Sequence, residues 1–419
     1  MNRRLVVWWD ENRVGSLYLD ENGDIAFVYD SSWLAAADRP AISVSLPKRA
    51  EGFNRREARP FFAGVLPDED QRDAVARALG LSRQNDFGLL EALGGDIAGA
   101  LSLWPEDKTP PQRTDREHPP TALSDDALIE TLDALPRRPF LVGSREGMRL
   151  SLAGAQQKLP VVLVDRAIAL PTDGQPTTHI LKPPIERFSG TTGNEAFAMR
   201  LAAAIGLPVA PVEPRRVGDR SFLLVERYDR DTSKGLVRRL HQEDFCQALG
   251  ITPEHKYASE GGPGFRDGFD LVRRACTRPA QAVLQLLDAA IFNVVVGNTD
   301  AHGKNYSLLY SDAGLELAPL YDLMCTVAYP DASPNLAMRV GKRSALEDFR
   351  PDTWDLFARN IGMGATYVRR RVGEVATSAA RASEAVAAPI ADAGFDPAVL
   401  RDIVGIVHER ADRLTTLLT

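Results

Sequence analysis

Between residues 298 and 322 the chain reads Asn298-Thr-Asp-Ala-His-Gly-Lys-Asn305, a short apolar hairpin pattern, and then Leu-Tyr-Asp322. No other stretch restricts the fold so narrowly. Asp300 and Asn305 stand at the Asp-x-x-x-x-Asn spacing of a phosphoryl-transfer loop, in which the Asp accepts a hydroxyl proton and the Asn holds a Mg²⁺. The same spacing occurs in loops where Asx side chains merely cap turns. Context separates the two. A long apolar helix is expected over about 280–296, ended by Gly297-Asn298, and two strands over 306–310 and 315–320 are turned by Ser311-Asp-Ala-Gly314. The hairpin would bring Asp322 back beside Asn305, and two oxygen ligands of this kind suit Mg²⁺, which fills its other positions with water and phosphate. The competing role for Asp322 is a helix N-cap before Leu323-Met-Cys.

Upstream, Thr178-His-Ile-Leu-Lys182 reads as a strand ending in one lysine before Pro183-Pro184, a placement that suits nucleotide phosphates. Glu195 is expected in the first turn of a helix over about 193–205. It is either the ion-pair partner of Lys182 or a carboxylate favoured by the helix N-terminus. Ser151-Leu-Ala-Gly-Ala-Gln-Gln-Lys158 precedes an apolar strand, and its small residues let backbone N–H groups approach phosphates. It lacks the G-x-G-x-x-G spacing, so a plain turn is the other reading. Phe222-Leu-Leu-Val-Glu-Arg-Tyr228 ends a strand where two lobes would meet, as an adenine-pairing backbone or as a bare strand edge. His302 either orients Asp300 or packs beneath the loop. Lys304 either neutralises charge on the transferring phosphoryl group or is a solvated surface lysine.

At 419 residues the chain is long for one hydrophobic core, so two or three lobes are expected. The N-terminal subdomain, 1–105, opens as an antiparallel sheet, with residues 3–9 and 14–19 paired and 24–29 following Asn22-Gly23. Helical periodicity follows at about 57–66, 69–80 and 86–93, with Asp68 at an N-cap and Gly80 at a C-cap. Residues 106–138 comprise a linker and a short helix, 124–134, the clearest linker being the proline-rich stretch 105–120. A strand-rich lobe covers 139–230, and 231–419 is helical apart from the hairpin, with amphipathic helices at 366–388 and 396–418. A net charge of -7 excludes a surface that coats nucleic acid throughout, though a local basic patch remains possible. Cys246, Cys276 and Cys325 lack CxxC spacing and point to reduced thiols in a cytoplasmic protein. Only a short apolar run follows Met1-Asn-Arg-Arg, so no signal peptide is expected, and no uninterrupted apolar stretch reaches the roughly 20 residues of a membrane span.

These residues, in this order, resemble the HipA family, the serine/threonine kinase toxins of bacterial type II toxin–antitoxin modules. The resemblance is carried by 151–158, 178–182, Val225-Glu-Arg-Tyr-Asp229 and His241-Gln-Glu-Asp-Phe-Cys-Gln247. Lys256-Tyr257 with Gly261-Gly-Pro-Gly264, the 298–305 loop and Tyr321-Asp322 extend it. In the first hundred residues it rests on Ser45-Leu-Pro47, Phe61-Phe-Ala-Gly-Val-Leu-Pro67 and Gly94-Gly-Asp-Ile-Ala-Gly-Ala100. It implies an α+β, bilobal, protein-kinase-like fold with a small N-terminal α/β subdomain and an all-helical C-terminal lobe.

The resemblance also implies roles. Asp300 would be the catalytic base, and Asn305 and Asp322 the Mg²⁺ ligands. Lys182 would contact ATP phosphates, and Ala153, Gly154, Ala155, Gln156, Gln157 and Lys158 would cover them. The backbone of Glu226, Arg227 and Tyr228 would hold adenine, with His302, Lys304 and Tyr321 also lining the nucleotide site. Ser151 matches the autophosphorylated serine whose modification ejects the loop; its other reading is an N-cap-like turn residue. The implied partners are a HipB-like helix-turn-helix antitoxin, operator DNA reached mainly through that complex, and an aminoacyl-tRNA synthetase substrate, foremost the glutamyl enzyme. Arg369-Arg-Arg371 either touches operator phosphates or is a solvated helix face. Two other functions share parts of this pattern: a small-molecule kinase, which uses the same Asp/Asn/Asp set, and a catalytically idle corepressor scaffold.

Overall fold

A computed structural model describes residues 3–110, 120–142, 149–172, 174–233 and 235–418, so most of the expected linker lies outside the described residues. The chain opens with β1 (Arg4–Trp9), β2 (Asn12–Leu19) and β3 (Ile25–Tyr29), an antiparallel meander turned at Asn22-Gly23 as its sequence demands. Four helices follow: α1 (Ser31–Ala35), α2 (Arg55–Gly64), α3 (Glu69–Leu79) and α4 (Asp86–Leu93). Asn54 and Glu57 close a reciprocal capping box at the start of α2. β4 (Leu101–Pro105) completes the sheet beside β1, in the order β3-β2-β1-β4.

After α5 (Asp125–Ala134), capped by Ser124, come β5 (Leu159–Val164), β6 (Ala167–Ala169) and β7 (His179–Lys182). α6 (Thr191–Ala204) and the strands β8 (Val212–Val217) and β9 (Arg220–Glu226) finish an antiparallel sheet of order β6-β5-β7-β9-β8. Because α6 starts at Thr191, Glu195 lies in its second turn, not the first. The twofold periodicity of β9 assigns each face to a different core. Phe222 and Leu224 point to the apolar cluster they share with Phe27, Phe61 and Phe62 of the N-terminal unit, while Leu223 and Val225 point to the helical core. The first hundred residues are therefore packed into the strand-rich lobe through one continuous apolar interior.

A small pair, β10 (Arg230–Asp231) and β11 (Arg238–Arg239), leads into β12 (His241–Asp244), α7 (Phe245–Leu249), α8 (Phe265–Ala275) and α9 (Pro279–Val296). The expected hairpin forms as β13 (Ser307–Ser311) and β14 (Gly314–Leu317). It corrects the all-helical description of this lobe, because β12 pairs with β13 from His241 opposite Tyr310 to Asp244 opposite Ser307. Burial of Leu308 and Leu317 holds that three-stranded sheet on the helices. α10 (Thr353–Asn360), α11 (Ala365–Asp392) and α12 (Pro397–Thr416) close the lobe around α9. α9 is apolar enough by composition to cross a membrane, but 61% of it is buried as the central core helix. The three cysteines are buried free thiols, Cys276 and Cys325 within this core.

β12 also fastens the N-terminal unit. The carboxyl of Glu243 receives the Ser43 hydroxyl at 2.5 Å, the Val44 N–H at 2.9 Å and the Tyr310 hydroxyl at 2.6 Å. Burial outweighs these donors and pushes the carboxyl from 4.5 up to about 7. A pKa raised by folding adds stability that is complete below 4.5 and lost as pH climbs through about 7. The loss should be about 3 kcal/mol. Urea unfolding midpoints should therefore fall between pH 5 and 8, and Glu243→Gln should flatten that slope; equal slopes in both proteins would refute the latch.

Candidate active site

The loop at the centre of the site is built by its own side chains. α9 ends at Gly297, whose φ of +74° and 2.4 Å approach of a notional Cβ to Val327 admit only glycine. Asn298 then ties the turn, donating to Asn293 at 2.9 Å and accepting the Asp300 N–H at 3.2 Å. His302 Nδ1 accepts the Lys304 N–H at 3.2 Å, and Asn305 Oδ1 accepts the His302 N–H at 3.1 Å. Of the two readings of His302, the structure has the packed one: burial, then the charges of Lys256 and Lys304, push its pKa down to about 3, leaving a neutral ring that caps the loop.

The hairpin returns Asp322 to this loop, with the Asn305 amide nitrogen 3.4 Å from Asp322 Oδ2. Asp322 has φ of +61° and no helix begins after it, the next helical turn being Thr326–Ala328, so the N-cap alternative is not realised. Lys182 ends β7 with its ammonium 2.6 Å from Glu195 Oε1 and 2.5 Å from Asp322 Oδ1. Glu195 is thus the partner of Lys182. Burial alone would lower the lysine's pKa, but Asp322 and Glu195 reverse that and raise it. Burial alone would likewise raise Asp322, yet Lys182 and Lys158 hold it well below the ordinary carboxylate range. Asp300 opens to solvent at the mouth of the cleft, yet the protein packed around its inner side raises its pKa, opposed by the Tyr257 hydroxyl, which donates to Oδ1 at 2.9 Å.

The 151–158 loop lies across the cleft. Gly154 has φ of +112°, and a Cβ there would come within 2.4 Å of Lys158 Nζ. Lys158 donates to the Ala153 carbonyl at 2.6 Å, and burial draws its pKa down to about 8 against the pull of Asp322. Ser151 is fully buried and is not a turn cap: its hydroxyl donates to the Val65 carbonyl at 2.9 Å. The N-terminal unit also pairs with this loop through Asp68 N–H to Gly154 O at 3.3 Å and Ser151 N–H to Asp96 O at 3.1 Å.

One cavity of about 470 Å³ gathers Ala153 to Gln156, Lys158, Lys182, Glu226 to Tyr228, Asp300, His302, Lys304, Asn305, Tyr321 and Asp322. Gln157 is the exception and lines the groove on the outer side of the loop. Lys304 needs correcting on both readings. It is neither solvated nor free for a phosphoryl group, because its buried ammonium donates to Gly64 O at 2.9 Å and pairs with Asp244 at 3.3 Å and Asp68 at 3.8 Å. A lysine buried this deeply requires anions around it. The side chain of Arg227 is likewise spent on Asp96 and Asp229, leaving only its backbone to the cavity. Tyr228 stacks on Tyr321 at 5.7 Å between ring centres. Arg369, Arg370 and Arg371 pair with Asp355, Glu374 and Asp288 at 3.5, 3.7 and 2.6 Å, as an ion-paired helix face does.

Among the lining residues that sequence reasoning gave no role in the site are Gly64, Val65, Asp68 and Glu69, from the junction of α2 and α3, although Gly64 and Val65 lay in a segment that carried the resemblance. Tyr257 escaped as well, although Lys256-Tyr257 belonged to a segment that carried the family resemblance. The donor set fits Mg²⁺ well, with Asp322 and Asn305 adjoining each other and room left for phosphate and water. Among the described residues no group of three or more His, Cys, Asp or Glu is placed to hold a metal ion, so phosphate and water would have to complete the ligand set.

Comparison with known proteins adds a second line of argument. A profile described as the HipA N-terminal domain matches residues 5–104, and one described as the HipA-like C-terminal domain matches 150–383. Y4mE of Sinorhizobium fredii, named a kinase, is 57% identical over 98% of both chains. The serine/threonine-protein kinase toxin HipA of Shewanella oneidensis is 31% identical over 84% of this chain and 81% of its own. A solved complex of Shewanella oneidensis HipA with HipB and operator DNA superposes with a TM-score of 0.84 at 26% identity, covering 99% of both chains.

Proposed function

The chain belongs to the HipA family of serine/threonine kinase toxins, and on that premise we propose that it moves the γ-phosphoryl group of Mg-ATP to a protein hydroxyl. The observation that carries the reading is Lys182 held between Glu195 and Asp322, in one cavity with Asp300 and Asn305. A catalytically idle scaffold has no need to keep a buried lysine between two carboxylates, since such a pair rarely adds net stability.

In this reading Asp322 and Asn305 hold the Mg²⁺ of ATP, which neutralises charge on the β- and γ-phosphates. Asn305 presents its amide nitrogen to Asp322 and its oxygen to the His302 N–H, so coordinating the ion would draw that oxygen away from its loop bond. Lys182 and Lys158 face the phosphates, small residues 153–155 let the loop approach them, and the backbone of 226–228 borders adenine. Asp300 takes the acceptor's proton. The N-terminal unit closes one wall of the cleft, which favours a macromolecular acceptor over a small molecule. We assign an aminoacyl-tRNA synthetase as that acceptor, most readily the glutamyl enzyme, with loss of charged tRNA halting growth. A HipB-like antitoxin would restrain the kinase and carry it to operator DNA, all in the cytoplasm. The ion pairs of Arg369 to Arg371 favour indirect DNA contact.

Ser151 is the proposed site of self-modification. A phosphate there brings nearly two negative charges against the Val65 carbonyl in a fully buried position, so the loop must leave the cleft. Purified chain given Mg²⁺ and γ-labelled ATP should take up about one label per molecule, on Ser151, while its turnover decays in step. Ser151→Ala should stay unlabelled and keep turning over a synthetase substrate. Absence of label on every protein tested would overturn the proposal.

A further inference from the structure

Resting on Asp300 as the base, we infer that Tyr257 is a positioning residue for phosphoryl transfer, gripping one oxygen of Asp300 so that the other meets the acceptor hydroxyl. The geometry is direct: the Tyr257 hydroxyl donates to Asp300 Oδ1 at 2.9 Å. Asp300 needs such a hold, because it stands exposed at the lip of the cleft and the turn around it fixes only its backbone. A carboxylate free to rotate spends little time aimed at one proton, and small misplacements of a reacting group are costly.

Tyr257 is in turn pinned from three sides. Its carbonyl accepts N–H groups from Glu260 and Gly262, each at 2.9 Å, which folds its loop tightly. Its ring meets the edge of His302 at 5.1 Å and 84°. The neighbouring Lys256 reaches Glu69 of the N-terminal unit at 2.6 Å, while its carbonyl accepts the Gly303 N–H at 3.3 Å. The hydroxyl that orients the base is therefore fixed to the catalytic loop and to the N-terminal unit together. Burial, then Asp300 itself, raises the phenol's pKa, so Tyr257 remains a donor throughout the working range.

During transfer the acceptor oxygen bonds to the γ-phosphorus, the bond from that phosphorus to the β-phosphate oxygen breaks, and the acceptor's proton passes to Asp300. Tyr257 keeps its own proton. The charged groups facing Asp300 are Lys256, which favours its ionised form, and Asp322 and Glu69, which oppose it.

The test is Tyr257→Phe, which keeps the ring and removes the donor. Its kcat should fall about tenfold, the effect of one hydrogen bond to a charged group. Nucleotide affinity, measured on the same preparation, should stay within about twofold, which also reports an intact fold. Loss of a donor to the carboxylate should shift the acid limb of kcat/KM to higher pH. Rates and pH profile that coincide with the wild type would overturn the inference. Asp300→Asn serves as the control: if it stays active, the base assignment itself has failed, whereas an inactive Asp300→Asn beside an unaltered Tyr257→Phe removes only Tyr257 from the mechanism.

Discussion

Exchanging Asp300 for Asn should lower phosphoryl transfer by roughly a hundred- to ten-thousandfold while leaving nucleotide affinity nearly unchanged. The split follows from where the side chain sits. Asn keeps the size of Asp300 and still accepts from Tyr257, so the 298–305 loop has no reason to move. It cannot take a proton. The groups assigned to the nucleotide, Lys182, Lys158, Asp322 and the backbone of 226–228, line other parts of the cavity and do not bond to the base. Single-turnover transfer to Ser151 or to a synthetase measures the first quantity, and calorimetric titration with a non-hydrolysable ATP analogue measures the second. Transfer within about threefold of the wild type would remove Asp300 from the role, since a general base contributes far more than that. Lowering pH cannot imitate the exchange cleanly, because it also protonates carboxylates elsewhere in the chain.

The parts of this site that sequence reading finds are those whose chemistry and placement are both local. Asp300 and Asn305 share one loop, a single hairpin returns Asp322, and the strand signal of 178–182 ends on Lys182. The element bounds followed the same logic: α9 and the hairpin lie within a few residues of their expected ends because apolar periodicity and glycine stops are local signals. What escaped depends on contacts far apart in sequence. Lys304 donates to Gly64 across 240 residues and Lys256 reaches Glu69 across 187, so neither burial nor partner can be read from the neighbours of either lysine. Ser151 reads as a turn because its buried site is made by Val65, a residue of another unit. The recruitment of β12 to the hairpin escaped for the same reason, as strand pairing between distant segments leaves little trace in either segment alone.

The same long-range logic makes Asp96 the residue whose loss should cost the fold most. Its carboxylate is 2% exposed and receives Arg230 at 2.9 Å, Arg239 at 3.1 Å, Arg227 at 3.3 Å and the Thr177 hydroxyl at 2.6 Å. Asp229 is the other anion of the cluster, bonded to Arg227, Arg230 and the Gly99 N–H. Burial would raise the pKa of Asp96, but Arg230, Arg227 and Arg239 drive it far below the usual range. Asp96→Ala leaves Arg227 and Arg230, each 1% exposed, with Asp229 as the one carboxylate bonded to both, beside neutral carbonyl and hydroxyl acceptors. An uncompensated buried charge of this kind costs about 3–5 kcal/mol. Because Asp96 also pairs its backbone with Arg149 and Ser151, at the head of the loop across the cleft, and Arg227 lies between Glu226 and Tyr228, the damage should reach both edges of the nucleotide cleft. Urea unfolding at pH 7 should show the lost stability, and calorimetry on the folded fraction should show weakened ATP binding. The wild type's contribution from this carboxylate has the opposite sign to that of Glu243: a depressed pKa adds stability above 3.8 that disappears as pH falls further. An Asp96→Ala protein within about 1 kcal/mol of the wild type would mean that water reaches the arginines and that this cluster does not hold the N-terminal unit.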